Sequence, residues 1–362
     1  MNKIKMLSLL AAAAMMTGSV AMAETYSATG NGYHGEMTVD VTIENGTITD
    51  VALGDNHETN VVIDRAFPVI RERILEANTA DVDSVSAATF SSYAIKTAVA
   101  DAMKQAGLEA PTVSMQNAEK PATERAAEEC DIVIVGGGPA GLAAAISAKQ
   151  TNADKNVIIV EKLDILSGNG KFDMNFFDMI NTEAQKAAGN DEWVGEAGLA
   201  KFIEEKSANG ESAERIQVWA NEEYGIDAWL RAMGVELNYN YGGTNHMAED
   251  NQYSGEVIQA GLEKAAAELG VDVRTGTKGT DLVMEDGVCK GVVVTNNANE
   301  TYTINAKSTI IATGGFCSNK ELLAEYAPGY EVFNTSNQMG TTGDFVKVFE
   351  QNGFKMENMG KM

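Results

Sequence analysis

The sequence predicts an α/β fold for residues 130–362, preceded by a small α+β unit in residues 24–107. Ile132 to Val135 form an all-apolar, β-branched run, which is typical of a strand buried on both faces of a parallel sheet. A glycine-rich turn and an Ala-rich segment follow this run, which places a helix directly after the strand. In residues 24–107, alternating apolar residues and amphipathic segments predict short strands and helices instead.

The first 23 residues predict a signal peptide. Lys3 and Lys5 precede the apolar stretch Met6 to Met16, and Ala21-Met22-Ala23 supplies small residues at the −3 and −1 positions of a cleavage site. A membrane anchor is the alternative, but the apolar stretch is short for a bilayer span. We therefore expect an exported protein, periplasmic, cell-surface or extracellular, whose mature chain begins at Glu24.

Charge and cysteine content restrict the partners. The chain has 52 acidic and 27 basic residues, and loss of Lys3 and Lys5 lowers its net charge from −25 to −27. Such a surface repels nucleic acid and anionic lipid, so we expect no nucleic-acid partner. Cys130, Cys289 and Cys317 are too widely spaced for a metal site, and a single disulfide between Cys289 and Cys317 stays open.

Residues 24–107 begin with a predicted hairpin. Apolar residues alternate with polar ones from Met37 to Ile43, and Asn45-Gly46 follows at once. We expect a helix to begin near Pro68, because proline suits a first helical turn. A second helix, with apolar residues at i, i+3, i+4 and i+7, is expected to end at Gly107.

Residues 108–129 are predicted to be a linker, since they contain two prolines, many charges and no sustained apolar period.

The stretch from Cys130 to Gly141 reads CDIVIVGGGPAG. Gly136, Gly138 and Gly141 have G-x-G-x-x-G spacing between the predicted strand and a helix over Leu142 to Gln150. In this context the first glycine allows a tight turn, the second lets the backbone approach a pyrophosphate, and the third lets helix and strand pack closely. The phosphates would meet N–H groups at a helix N-terminus, so the sequence predicts a dinucleotide site.

A second predicted strand supports this site. Val157 to Val160 are apolar, and Glu161 follows them, 25 residues after Gly136. A carboxylate in this place accepts hydrogen bonds from an adenosine ribose and disfavours a 2′-phosphate. The alternative is a glycine-rich turn that binds nothing, and the combination of strand, helix, second strand and acid disfavours it.

Beyond this site we expect amphipathic helices and a small accessory sheet. Residues 211–223, 228–233 and 255–269 have helical periodicity. Four short strands are expected at 271–274, 282–284, 292–295 and 302–304. The three histidines, His34, His57 and His246, lie in polar sequence contexts, and we expect them to be solvated.

Three motifs in residues 130–362 resemble the FAD-binding domain of the fumarate reductase/flavocytochrome c flavoprotein family. They are the GGGPAG turn, the Glu161-Lys162 pair followed by SGNGK, and the late strand STIIATGG. The stretch NQMGTTGD, which ends at Asp344, is similar to the family's N-x-x-G-x-T-G-D. The resemblance implies a Rossmann-like domain that binds FAD. It implies contacts to FAD from Gly136, Gly138, Ala140, Gly141, Glu161, Lys162, Ser167, Gly168, Asn169, Gly170, Thr313, Gly314 and Asp344.

Residues 24–107 are similar to the FMN-binding domain of flavinylated electron-transfer proteins, from YSATGNGYHG to DSVSAATFSS. In that family the last Thr of D-x-x-S-G-A-T carries FMN through a phosphoester, which implies FMN bound covalently to Thr89 by a flavin transferase. Ala87 stands where the motif has Gly, so a positive φ there would strain the loop. The alternative is that Thr89 to Ser92 form only an N-cap cluster.

The resemblance implies an exported oxidoreductase that passes electrons from an upstream donor through FMN to FAD and reduces a small α,β-unsaturated carboxylate. No catalytic Arg or His can be placed, because the family's H-P-T motif and capping domain would follow Met362. Either the chain is part of a longer reading frame or it lacks substrate chemistry, and we expect the chain as it stands to bind FAD poorly and to reduce nothing. The alternative function is a flavin-bearing electron-transfer or binding protein.

Overall fold

The structure is a computed structural model that describes residues 23–166, 168–172, 175–208, 212–249 and 253–361. Residues 1–22 of the expected signal peptide and the candidate site residue Ser167 lie outside these ranges. Within the described ranges, no helix has both the length and the apolar character that a bilayer crossing requires.

The N-terminal unit is a three-stranded antiparallel sheet packed against two helices. Its elements are β1 (Glu24–Asn31), β2 (Glu36–Glu44), β3 (Thr47–Leu53), α1 (Asn60–Ala77) and α2 (Thr89–Gln105). The predicted hairpin is present as β2 and β3, and the alternating residues of β2 are buried beneath α2. These residues form an apolar core that also includes Ile165, from the segment after β6.

The first helix starts earlier than expected. It begins at Asn60, and Pro68 lies inside it, so the predicted start near Pro68 is wrong. Ile63 and Ala66 are buried in the core, and their burial extends the apolar face on the N-terminal side of the proline. Packing of this face stabilises the helix despite the hydrogen bond that the proline cannot donate.

Residues 108–129, the predicted linker, are in contact with both parts of the chain. Leu108, Ala110 and Val113 pack against the N-terminal core. The buried Lys96 donates from Nζ to the carbonyl of Ser114 at 2.7 Å. Further along, β4 (Thr123–Glu124) pairs in parallel with a strand of the main sheet.

The rest of the chain alternates strands and helices, with a 3₁₀ turn at Asp191–Trp193. Its elements are β5 (Glu128–Val135), α3 (Pro139–Thr151), β6 (Val157–Val160), α4 (Asn169–Phe172), β7 (Phe177–Asp178), α5 (Glu183–Ala187), α6 (Gly195–Ser207), α7 (Ala213–Ala232), β8 (Tyr239–Gly242), β9 (Asn245–Met247), α8 (Ser254–Glu268), β10 (Asp272–Arg274), β11 (Thr277–Glu285), β12 (Val288–Asn296), β13 (Glu300–Ile311), α9 (Lys320–Tyr326) and α10 (Asp344–Gln351).

The main sheet has the order β10-β6-β5-β13-β12-β11, with β4 beside β13. From β10 to β13 the strands are parallel, whereas β12 and β11 continue the sheet in antiparallel pairing. The predicted α/β fold is confirmed, but the antiparallel strands join the main sheet. They do so because β13 is one long strand that pairs with β5 on one side and β12 on the other.

Both faces of the parallel strands are covered, as their all-apolar sequences predict. Ile134 and Ile159 belong to a cluster with residues of α3 and α8. Val133 and Ile158 belong to a second cluster that includes Phe345 of α10. The carboxyl ends of β5, β6 and β13 therefore emerge from a sheet buried between two apolar layers.

The three histidines, all expected to be solvated, differ in their exposure. His34 and His57 are exposed, but His246 on β9 is fully buried, so the expectation that it is solvated is wrong. Its Nε2 lies 2.7 Å from the Thr182 hydroxyl and its Nδ1 lies 2.8 Å from the Thr244 carbonyl, and burial lowers its pKa.

The sequence left a disulfide between Cys289 and Cys317 open. In the structure these two cysteines form no disulfide.

Candidate functional site

The turn between β5 and α3 presents backbone N–H groups at the start of a helix. Gly136 has a φ of +113°, which favours glycine, and its N–H donates to the Val160 carbonyl at 2.8 Å. Pro139 occupies the first turn of α3, and no side chain caps the helix at Gly138. The first N–H groups of α3 therefore meet no capping side chain among the described residues, an arrangement suited to a phosphate.

Two of the glycines are required by close packing. A Cβ at Gly141 would lie 1.9 Å from the carbonyl oxygen of Gly136. A Cβ at Gly136 would lie 2.4 Å from the carbonyl oxygen of Ala312. These distances are far below van der Waals contact, so a larger residue at either position would force the turn away from α3 or from the end of β13.

A cavity of about 240 Å³ opens where β5, β6 and β13 end. In parallel α/β sheets this edge is the usual place for a ligand. Ten predicted site residues line the cavity: Gly136, Gly138, Ala140, Glu161, Lys162, Gly168, Asn169, Thr313, Gly314 and Asp344. Gly141 and Gly170 are not among the residues that line it, and a Cβ at Gly170 would be 2.5 Å from Pro139 Cγ.

Glu161 lies at the end of β6 and is nine-tenths buried. Its carboxylate accepts the N–H of Gly137 at 2.8 Å and the N–H of Leu163 at 2.9 Å. Burial raises the pKa of this carboxyl group, and the two backbone N–H groups oppose the rise. The carboxylate is thus fixed at the cavity wall, and its contact with a ribose stays a prediction.

Asp344, which also lines the cavity, lies between two lysines. Lys162 Nζ is 2.6 Å from one carboxylate oxygen of Asp344 and Lys278 Nζ is 2.8 Å from the other. Burial would raise the pKa of Asp344, but the hydrogen bonds and charges of the two lysines hold it below its ordinary value. Sequence reasoning missed Lys278, because its strand, β11, meets the cavity only through the folding of the sheet.

Asn169 connects the loop after β6 to the loop before α10. Its Oδ1 accepts the Gln338 N–H at 2.8 Å and the Thr341 hydroxyl at 3.3 Å, and its Nδ2 donates to Asn337. Gln338 lines the cavity, and its buried Nε2 has no partner among the described residues. The Gln338 side chain can therefore donate a hydrogen bond to a ligand. Sequence reasoning did not select Gln338, although it is the second residue of the motif NQMGTTGD.

Thr89, the predicted site of FMN, is in the N-terminal unit. It is the half-buried first residue of α2, and no side chain of the described residues caps this helix. The N-cap alternative therefore lacks its hydrogen bond. Ala87 has a φ of +70°, the left-handed conformation that the Gly of the motif implies. The loop before Thr89 thus has the shape of the motif and stores backbone strain at Ala87.

Contacts on two sides hold this loop. Asp164 lies three positions after Glu161. Its carboxylate accepts hydrogen bonds from the Ser86 N–H at 2.7 Å, from Arg73 Nη2 at 2.8 Å and from Asn297. On the other side, the Ser84 N–H donates to Asn117 Oδ1 at 2.7 Å. The loop before Thr89 is therefore attached to the parallel-sheet part and to residues 108–129.

These features define a dinucleotide-binding α/β protein with a second, smaller cofactor unit. The glycine turn has no Cβ atoms that would keep a ligand from its backbone, and no described side chain caps the start of α3. The Nε2 of Gln338 at the cavity wall, unpaired within the described part of the chain, is free to donate a hydrogen bond to a ligand. These residues therefore fit FAD. Residues 131–362 match the family model of the FAD binding domain, and the chain belongs to this family. Residues 32–104 match the model of the FMN-binding domain. The two matches support FAD and FMN as cofactors.

Relatives named for the reduction of fumarate and urocanate confirm the resemblance to fumarate reductase flavoproteins. The NADH:fumarate oxidoreductase of Klebsiella pneumoniae is 31% identical over 337 residues, which are 90% of this chain and 35% of that protein. The urocanate reductase of Eggerthella lenta is 31% identical over 353 residues, 93% of this chain and 57% of that protein. The open conformation of a flavocytochrome c3 fumarate reductase matches with a TM-score of 0.56 and 30% identity, over 62% of this chain and 40% of that one. The chain thus spans between about a third and just over half of these relatives.

Proposed function

We propose that this chain belongs to an exported flavin-dependent reductase in which FMN on Thr89 passes electrons to FAD, and FAD reduces a small α,β-unsaturated carboxylate. The observation that carries the proposal is the presence, in one chain, of a cavity lined by residues suited to a dinucleotide and of a helix start at Thr89 that no described side chain caps. Relatives named for fumarate, urocanate and acrylate support this substrate class. Export is supported by the pattern of the first 23 residues.

The cavity residues have distinct tasks in binding FAD. The N–H groups at the start of α3 would hold the pyrophosphate, and Glu161 would accept hydrogen bonds from the adenosine ribose. Asn169 and Gln338 would hold the loop before α10 against the cofactor. When bound and reduced, FAD would supply a hydride for one carbon of the substrate double bond, and the other carbon would take a proton. We assign no residue of this chain as the proton donor.

Attachment of FMN to Thr89 agrees with the local electrostatics. The bond between Thr89 Oγ and the flavin phosphorus would form as the flavin transferase cleaves the pyrophosphate of FAD, with AMP as leaving group and the hydroxyl proton released. The resulting phosphate would lie beside the uncapped N-terminus of α2, where the helix dipole stabilises negative charge. A covalent bond would also keep the cofactor from being lost by dilution outside the cell.

Flavinylation is tested by coexpression with a flavin transferase, followed by a denaturing gel viewed under ultraviolet light. We expect a fluorescent band for the wild type and none for Thr89→Ala. Thr97→Ala is a matched control, because Thr97 lies on the same helix and its hydroxyl donates to the Tyr93 carbonyl of that helix. Fluorescence that survives in Thr89→Ala would overturn the attachment site.

The activity is tested on the full-length gene product with bound flavins, reduced viologen, and fumarate, urocanate or acrylate. Substrate-dependent oxidation of the viologen above the rate of flavin alone is expected with at least one of these acids. The alternative function, an electron carrier without substrate chemistry, predicts that the flavins are reduced while none of these acids reoxidises them.

A further inference from the structure

Two exposed aromatic rings lie together beside the predicted FMN site. Tyr33, in the loop between β1 and β2, is 69% exposed, and Phe90, in the first turn of α2, is 50% exposed. Their ring centroids are 5.9 Å apart with an interplanar angle of 56°. The ring of His34 lies edge-on to Tyr33 at 4.8 Å. Phe90 follows Thr89 directly, so this pair lies within the N-terminal unit at the place where the flavin would be attached.

The spacing of the two rings is fixed by one buried carboxylate. Glu58, 7% exposed, accepts the backbone N–H of His34 at 2.9 Å and the hydroxyl of Ser91. His34 follows Tyr33 and Ser91 follows Phe90, so Glu58 holds together the two segments that carry the rings. A Cβ at Gly32 would lie 2.4 Å from Glu58 Oε1, which explains why the loop has glycine there.

This pair differs from other exposed aromatic pairs, such as Tyr330 and Phe333, in that one of its rings directly follows Thr89. Large aromatic side chains contribute most to stability when they are buried, and neighbouring exposed ones mark a ligand or partner surface. Here hydrogen bonds from His34 and Ser91 to the buried Glu58 hold together the two segments that carry the rings.

We propose that Tyr33 and Phe90 form a stacking platform for the isoalloxazine ring of FMN carried by Thr89, a proposal that rests on the flavinylation proposed above. The isoalloxazine is planar and aromatic, and aromatic rings associate in offset or edge-to-face arrangements. The phosphoester would keep the flavin within reach of the neighbouring Phe90, so a weak stacking contact suffices to hold it. The platform shields one face of the flavin from water.

Flavin fluorescence tests the platform, because a tyrosine in contact with an excited flavin donates an electron to it and quenches its emission. The experiment compares the emission of full-length flavinylated protein before and after denaturation, which corrects for flavin content. The Thr89→Ala protein, treated identically, supplies the background from FAD. Mass spectrometry confirms FMN on every other variant.

We expect Tyr33→Ala and Phe90→Ala to raise native emission, because loss of one aromatic contact lowers the ratio of stacked to open flavin by about 2- to 12-fold. Tyr33→Phe keeps the ring and is expected to retain more quenching than Tyr33→Ala. Tyr330→Ala is the matched control, since Tyr330 is also exposed and lies 6.2 Å from another ring, that of Phe333. Its emission should equal that of the wild type.

The two proposals fail in different ways. Flavinylated Tyr33→Ala and Phe90→Ala proteins that keep the native emission of the wild type would overturn the platform and leave flavinylation intact. A wild-type protein without FMN by mass, after coexpression with an active transferase, would overturn the attachment at Thr89 and the platform with it.

Discussion

The carboxylate of Asp164 accepts the backbone N–H of Ser86 at 2.7 Å, and this hydrogen bond joins the loop before Thr89 to the segment after Glu161. Asp164 is 6% exposed, and the same carboxylate pairs with Arg73. A buried acid with two such partners fixes the position of the loop more firmly than a surface ion pair would. Ser86 lies three positions before Thr89 and Asp164 three positions after Glu161, so this hydrogen bond connects the predicted FMN site with the FAD cavity.

Replacement of Asp164 by Asn should loosen this connection. The amide keeps one acceptor but loses the charge that pairs with Arg73, and we expect a loss of about 1–3 kcal/mol in the free energy of unfolding. The measurement is denaturant unfolding, together with hydrogen exchange of the Ser86 amide. Asp154→Asn, at an exposed position, is the control. Unchanged exchange at Ser86 would contradict the role of Asp164.

Replacement of Ala87 by Gly should stabilise the protein. Ala87 has a φ of +70°, which costs an L-residue roughly 1–2 kcal/mol and glycine little. We therefore expect a gain of about 1 kcal/mol in the free energy of unfolding, and faster flavinylation if the strain opposes the shape that the transferase binds. Ala88→Gly is the control, because Ala88 has a φ of −131° and should gain nothing. An equal effect of both substitutions would show that loop strain is not the cause.

Replacement of Gly141 by Ala should impair FAD binding. The added Cβ would lie 1.9 Å from the Gly136 carbonyl oxygen, so α3 would have to move away from the turn, with an expected loss of about 1–3 kcal/mol in stability. In the full-length gene product, FAD retained after gel filtration and the melting temperature measure the two effects. In Gly315→Ala, by contrast, the Cβ would meet open space and FAD binding should persist.

Glu223 predicts a pH dependence of stability. Burial raises the pKa of its carboxyl group from 4.5 to about 7, although Trp219 Nε1 donates to Oε1 at 2.8 Å. Its buried Oε2 has no partner among the described residues. Because the folded pKa is the higher one, the protonated form favours folding below pH 4.5, and this contribution is lost as the pH rises through about 7. Melting temperatures between these values should fall with pH in the wild type.

Glu223→Gln should flatten that profile, since the amide does not ionise. Glu222→Gln, at the exposed neighbouring position, should keep the slope of the wild type. A slope that persists in Glu223→Gln would assign the pH dependence to another group.

Local sequence predicted the parts of the site that are local in the chain. The strand, turn and helix around Gly136 are fixed by β-branching, glycine conformation and helix propensity within one segment, and the structure has them as expected. Ala87 was likewise readable, because a motif position that requires glycine implies a positive φ.

Contacts between distant segments could not be read in this way. Lys278 reaches Asp344, and Asp164 reaches Ser86, only because the sheet and the N-terminal unit bring separate loops together. His246 was expected in water for the same reason, since polar neighbours along the chain do not reveal that Thr182 folds over it.

The central place of β13 sets the order in which the two parts of the chain can fold. Strands β1, β2 and β3 are neighbours in sequence, so the N-terminal sheet closes through short loops and is expected to form rapidly. β5 instead pairs with β13, so Ile132 can pair only with Ser308, which lies 176 positions later in the chain. The FAD cavity is therefore expected to assemble after the N-terminal sheet, and the loop before Thr89 gains its hydrogen bond to Asp164 only at that later stage.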